Sequence, residues 1–143
     1  MDDDADVLSP QEAIIYAMVL TAASDGSITG SELRMIGRVV RTFPMFDDFD
    51  EEDLVGVAEA CGGVMAGPEG LRRVLAMVKE ALPEHLYETA YAAAIEVATA
   101  DNSLALTELR VMELLRDELA INDEGAAAIE HSARARHMPV VLD

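Results

Sequence analysis

The chain has no tryptophan, and aromatic residues make up only 4% of its 143 residues. A core with so few rings is filled mainly by smaller apolar side chains, and hydrophobic residues still account for 51% of the sequence. Alanine, leucine, valine and methionine suit close packing between helices, and most of them are good helix formers. The residues that are left to fill the core are therefore those that suit packing between helices.

Cysteine is equally scarce, because Cys61 is the only one in the chain, which excludes an internal disulfide. It falls on the apolar stripe of a predicted helix, so we expect a buried free thiol. A lone thiol of this kind is consistent with a reducing compartment.

Long apolar runs are also missing. No window approaches the 18 uninterrupted apolar residues of a membrane-spanning helix. The N-terminus is acidic and lacks the apolar segment of a secretory signal peptide. We therefore expect a cytoplasmic protein, with a disordered acidic arm over residues 1–8 and a single helical domain over residues 9–143.

Basic residues are few: 10 lysines and arginines stand against 28 acids, and the formal net charge is −18. A field of that sign repels phosphate backbones and anionic lipid surfaces, which excludes nucleic acid as an expected partner. We expect instead an unidentified protein partner with a basic surface, and any membrane association would go through such a partner. Ten acids lie in residues 2–6 and 47–53, which we interpret as a solvated tail and a solvated loop.

Seven stretches of helical periodicity cover most of the chain. Ser9 and Glu12 form the pattern of a capping box at the start of the first helix. Ser31 and Thr107 are the predicted caps of the second and sixth helices. No stretch alternates polar and apolar residues as a strand does, so we expect an all-α, compact seven-helix bundle. The predicted core positions are Ile14, Ala17, Met18 and Thr21 in the first helix and Leu109, Met112, Leu115 and Leu119 in the sixth.

A ten-residue phrase occurs twice. Residues 25–34 read Asp-Gly-Ser-Ile-Thr-Gly-Ser-Glu-Leu-Arg, and residues 101–110 read Asp-Asn-Ser-Leu-Ala-Leu-Thr-Glu-Leu-Arg, at a constant offset of 76 residues. Each copy lies between two predicted helices, which indicates two related helix–loop–helix units in one domain. We predict that residues 13–43 superpose on residues 89–119 after a roughly twofold rotation.

Each copy of the phrase matches half of a calcium-binding EF-hand loop. Asp25 and Glu32 match two acidic ligand positions, and Gly26 matches the glycine of the turn. Asp101 and Glu108 match the same acidic positions in the second copy. The ligand positions that should open the loop carry no acid in either copy, so we do not expect a high-affinity calcium cage.

Two interpretations of these four acids stay open. In the structural one, the aspartates stabilise the turns, the glutamates occupy first-turn positions that the helix dipole favours, and Ile28 and Leu104 are buried close together. In the functional one, the aspartate and glutamate of each copy converge on a weak divalent-cation site. The candidate metal ligands are Asp25, Glu32, Asp101 and Glu108.

The pattern Ala-x-x-Asp-Gly-x-Ile-x-x-x-Glu, at residues 22–32 and in weaker form at residues 98–108, resembles the TerB family of tellurite-resistance proteins. The resemblance covers roughly residues 10–136. It implies a compact helical bundle with pseudo-twofold symmetry and a cytoplasmic adaptor of the stress or tellurite response with a metal-sensing surface. In the second copy Asn102 replaces the glycine of the pattern.

The resemblance also leaves a second function open. The same fold is shared by the N-terminal part of a membrane-anchored DnaJ-type co-chaperone, so the alternative is a co-chaperone-like interaction scaffold with no metal role. No agreed enzymatic reaction belongs to the family. We expect no enzyme and no cofactor beyond a weakly bound divalent cation.

The residues give no catalytic constellation either. His85, His131 and His137 do not have the spacing of a zinc site, and we interpret all three as surface or helix-end residues. The sequence neighbours of Cys61 supply no base that would activate its thiol.

Overall fold

Seven α-helices and no strand form the part of the chain that the computed structural model describes, which is residues 8–23, 28–99, 106–138 and 140. For residues 106–108 it describes the backbone alone, and the predicted acidic arm lies outside these ranges except for Leu8. The all-α prediction is confirmed. The helices are α1 (Pro10–Ala22), α2 (Gly30–Thr42), α3 (Leu54–Met65), α4 (Gly70–Ala81), α5 (Tyr87–Thr99), α6 (Leu106–Glu118) and α7 (Asp123–Arg136). Short 3-10 helices, Pro44–Phe46, Glu51–Asp53 and Glu84–Leu86, lie in the connections.

Helix α1 is the centre of the bundle. Every residue from 13 to 21 is buried, because this stretch is apolar on all its faces and other helices surround it. The four predicted core positions of α1 are buried, and the other residues of this stretch, which the sequence analysis did not assign to the core, are buried too. Thr21, a buried polar residue in this stretch, donates its hydroxyl to the backbone oxygen of Ala17 at 2.9 Å. Helix α5 packs along α1 most extensively, and α3 and α4 also lie against it.

The helix starts confirm some of the predicted caps and correct others. Ser9 and Glu12 form the predicted capping box of α1. Ser31 does not cap α2, because Thr29 takes that place and forms a second capping box with Glu32. Thr107 is not the cap of α6, since the helix already begins at Leu106. At α2 the cause is the S/T-x-x-E spacing of a capping box, which selects position 29 and not position 31.

The repeated phrase is matched by the helix boundaries. Helices α2 and α6 each have 13 residues, and their first residues are 76 positions apart, as in the sequence repeat. The predicted twofold rotation itself stays a prediction. Ile28 is half-buried against the core and not fully buried as predicted, and Leu104 lies outside the described residues. Leu109 is 40% exposed, so the prediction that it faces inward was wrong, whereas Met112, Leu115 and Leu119 are buried.

The connection between α3 and α4 leaves no room for a side chain at residue 70, which is a glycine. A Cβ atom added there would lie 2.2 Å from the backbone oxygen of Met65. Just before it, Glu69 adopts a left-handed conformation with φ of 50°, which turns the chain sharply enough to start α4. The fold therefore depends on a glycine at residue 70.

We expect Gly70→Ala to lower the free energy of unfolding by about 1–3 kcal/mol, since the methyl group would overlap backbone that cannot move aside easily. The matched control is Gly63→Ala within α3, where an added Cβ would meet nothing within 4 Å. Because alanine is the better helix former, that control should raise the free energy of unfolding by up to about 1 kcal/mol. Urea denaturation measures both, and an equal effect of the two substitutions would contradict the steric argument.

Candidate functional site

The repeated loops are only partly covered by the described residues. Asp25 and Asp101 lie outside them, and Glu108 is described by its backbone alone. The carboxylate of Glu32 folds back toward the preceding loop, where its Oε1 accepts a hydrogen bond from the backbone nitrogen of Thr29 at 2.9 Å. The proposed cation ligation by all four acids therefore stays a prediction.

Cys61 is buried, as predicted. Its Sγ atom lies 3.8 Å from the backbone oxygen of Tyr16 and 3.8 Å from the Sδ atom of Met65. Burial raises the pKa of the thiol to about 12, because it removes the solvation that would stabilise the thiolate. The thiol therefore stays protonated at neutral pH, where it is a poor nucleophile.

The histidines do not assemble a metal centre in the described part of the chain. Within those ranges, no group of three or more histidine, cysteine or acidic side chains is arranged to hold a metal ion. His85 and His131 are exposed, as predicted. His137 lies at the end of α7, also as predicted, but it is half-buried against Glu96 of α5.

Residues 47–53, hereafter the acidic face, are fixed to the helical bundle by an aromatic contact and by hydrogen bonds from α1. Phe46 is buried just before them, and its ring packs edge-to-face on the ring of Phe49 with centroids 5.8 Å apart. From α1, Gln11 donates its side-chain amide to the backbone oxygen of Met45 at 2.9 Å and to the Oδ1 atom of Asp48 at 2.7 Å. The acids of this face are exposed, as expected for a solvated loop, and the segment is also attached to the bundle.

The acidic face carries an excess of negative charge. Its six carboxylates all belong to exposed residues. Among the described residues one basic side chain pairs with it: Arg41 of α2 lies 2.5 Å from Glu51. Asp50 accepts a hydrogen bond from the backbone nitrogen of Glu52 at 3.0 Å, which fixes the turn but neutralises no charge. Val55, in the first turn of α3, is 48% exposed beside the acids.

A groove of about 480 Å³ lies between α2, α5 and the end of α7. We call it the α2–α5–α7 groove. Its apolar lining comes mainly from α2, and its charged groups come from all three helices. The lining residues with apolar side chains are Met35, Val39, Phe43 and Ala92, and those with charged or titratable side chains are Arg38, Glu96, Arg136 and His137.

Glu96 is the carboxylate of that groove, and two side chains from the end of α7 hold it. Arg136 donates a guanidinium hydrogen bond to its Oε1 atom, and the Nε2 atom of His137 lies 2.5 Å from its Oε2 atom. Partial burial raises the pKa of Glu96, but the hydrogen bonds and positive charge of Arg136 and His137 outweigh it, so the pKa lies below its usual range. This cluster ties α7 to α5.

Sequence reasoning missed this cluster because its members are 40 and 41 residues apart. One signal was present: Glu96 is the only charged residue between Tyr91 and Thr99 in α5, a stretch that is otherwise apolar. An acid in such a stretch needs a basic partner, and α7 ends in a basic segment. The sequence alone could not identify which basic residue would pair with Glu96.

A family model described as Tellurite resistance protein TerB matches residues 11–131. The chain belongs to the TerB family. The matched range begins in α1 and ends in α7, so it includes both copies of the repeated phrase, helices α2 to α6 in full and parts of α1 and α7. No curated protein and no solved structure gives a match.

The match confirms the family resemblance inferred from the repeat. It leaves the acidic face, the loops and the groove of this TerB-family chain without assigned roles. In the ranges that the structure describes, no helix is both long and apolar enough to cross a membrane.

Replacing Glu96 with glutamine tests the cluster at the end of α7. Because Arg136 and His137 stabilise the ionised carboxylate, we expect Glu96→Gln to cost about 1–2 kcal/mol of the free energy of unfolding at neutral pH. The folded-state pKa is the lower one, so this contribution is present above the ordinary pKa of glutamate and is lost as the pH falls through the lowered value. Urea denaturation over a series of pH values measures the difference.

The control for that experiment is Glu113→Gln, because Glu113 is exposed and its partner Arg110 lies 3.7 Å away. An exposed pair of this kind contributes between about 0 and 1 kcal/mol. If Glu96→Gln cost no more than this control at neutral pH, the cluster would not hold α7 in place.

Proposed function

We propose that this TerB-family chain is a non-catalytic module of the tellurite or stress response, and that its acidic face, residues 47–53, binds a protein partner with a basic surface. The observation that carries the proposal is that contacts of Phe46, Phe49 and Gln11 fix the acidic face to the bundle. Family membership supports the tellurite context, and the raised pKa of Cys61 argues against nucleophilic catalysis by this thiol.

The physical argument concerns like charges held in place. A flexible loop can spread its carboxylates apart, whereas an ordered segment keeps them together and bears their mutual repulsion. A basic partner relieves that repulsion, and a surface that is already ordered loses little conformational freedom on binding. Val55, exposed beside the acids, adds an apolar contact that such a partner would cover.

A weak cation site at the repeated loops is a second candidate function. It is favoured by Glu32, whose carboxylate is turned toward the loop that carries Asp25 in the sequence. One carboxylate oxygen of Glu32 already accepts from Thr29, and two carboxylates per loop supply few ligands. Binding would therefore be weak, with a dissociation constant on the order of 10⁻⁴–10⁻³ M.

Neutralising two acids tests the partner proposal. Asp47 and Glu52 are exposed, and their side chains make no hydrogen bond or ion pair within the described residues, so Asp47→Asn/Glu52→Gln should leave the fold intact. In the native host, with the gene deleted and replaced by this variant, we expect tellurite tolerance to fall toward that of the deletion strain. The same substitution should reduce capture of the partner from host lysate, and added salt should do so too.

The matched control is Asp117→Asn/Glu124→Gln, which removes the same charge from exposed positions in α6 and α7. It should preserve both tolerance and capture. Equal losses from both double variants would mean that only the net charge matters. No loss from either would contradict the role given to the acidic face.

The loop proposal is tested by calcium titration followed by calorimetry. Asp25→Asn/Glu32→Gln should remove the weak binding, and Asp47→Asn/Glu52→Gln serves here as the charge-matched control. Diffuse acidity alone attracts divalent ions, so the comparison between variants decides the matter and not the total binding. If both variants lose the same amount, the loops do not form a site.

A further inference from the structure

The α2–α5–α7 groove has an apolar lining and two arginines, in a chain that is otherwise strongly negative. Its lining residues include Arg38 and Arg136, and its carboxylate, Glu96, is already held by Arg136 and His137. Arg38 makes no ion pair within the described residues. The chain has a net charge of −18 and only 10 basic residues, so two arginines beside one groove are a local concentration of positive charge. Such a groove suits an apolar ligand that also carries a negative charge.

A segment of that chemistry starts at the edge of the groove. Residues 138–143 read Met-Pro-Val-Val-Leu-Asp, with five apolar residues, one acid and no base. They follow directly on His137, which lines the groove. Met138 is 65% exposed and Val140 is 95% exposed, more than any other large hydrophobic side chain that the structure describes. The chain therefore continues from the edge of an uncovered apolar groove into a segment whose described apolar side chains are exposed.

We propose that the α2–α5–α7 groove is the docking site of the chain's own residues 138–143. In the docked state, apolar side chains of this segment cover Met35, Val39 and Phe43, and the carboxylate of Asp143 lies near Arg38. The proposal concerns other residues than the acidic face or the repeated loops, so it stands independently of the proposed function.

The dimensions permit this. The groove follows α2 from Met35 to its last residue, Thr42, and reaches Phe43 just after it, which is about 12 Å at the rise of an α-helix. Six residues of extended chain span up to about 20 Å. Because Glu96 holds the end of α7, residue 138 starts from a fixed place at the groove, and the segment docks within one chain with an effective concentration in the millimolar range.

The test uses nuclear magnetic resonance on the full chain with labelled methionine, valine and leucine methyl groups. We expect cross-relaxation peaks that join the methyl groups of Met35 and Val39 to those of Val140, Val141 and Leu142. A second sample, mixed from differently labelled chains, separates contacts within one chain from contacts between two chains.

Two variants examine the two sides of the contact. Val140→Asp/Leu142→Asp should abolish the cross-peaks and shift the Met35 methyl signal, because the segment leaves the groove. Arg38→Gln should weaken the cross-peaks, whereas Arg34→Gln, one turn earlier on α2 and outside the groove, should leave them unchanged. Circular dichroism of each variant checks that the bundle is still folded.

Three results would overturn the proposal. The first is the absence of cross-peaks together with a Met35 signal that Val140→Asp/Leu142→Asp does not change. The second is cross-peaks that appear only between differently labelled chains, which would make a second copy of the chain the occupant. The third is equal effects of Arg38→Gln and Arg34→Gln, which would remove the electrostatic basis of the docking.

Discussion

Burial of α1 on all sides is the constraint on which the rest of this structure depends. A helix with nine consecutive buried residues needs apolar surface all round it, and α3, α4 and α5 supply it. Alanine is frequent where α5 meets α1, which lets the two backbones approach closely without large side chains. Helices α2, α6 and α7 lie further from this centre. Each of them buries one face, and its outer face can carry acidic residues.

Local patterns in the sequence predicted the helices and several of their ends, since periodicity and capping chemistry act over a few residues. The capping box of Ser9 and Glu12 is of this kind. Errors arose where two local patterns competed, as at Ser31 and Thr29, or where the surrounding helices decide burial. Leu109 has the spacing of a core residue, yet the bundle leaves 40% of it exposed, and no local rule contains that information.

The candidate sites were less predictable than the helices for a related reason. The acidic face was visible as a run of acids, but its attachment to the bundle depends on Gln11 of α1, more than 30 residues earlier in the chain. The cluster around Glu96 depends on the packing of α7 against α5. A charged group is evident in a sequence, whereas the partner that fixes its position depends on tertiary structure.

The buried thiol has a practical meaning for experiments on this chain. Cys61 is held inside the bundle with a pKa of about 12, so it is nearly inert toward alkylating reagents while the protein is folded. A single cysteine introduced at an exposed position would then react alone. The native sequence therefore already serves as a silent background on which a spectroscopic label can be attached at one chosen site.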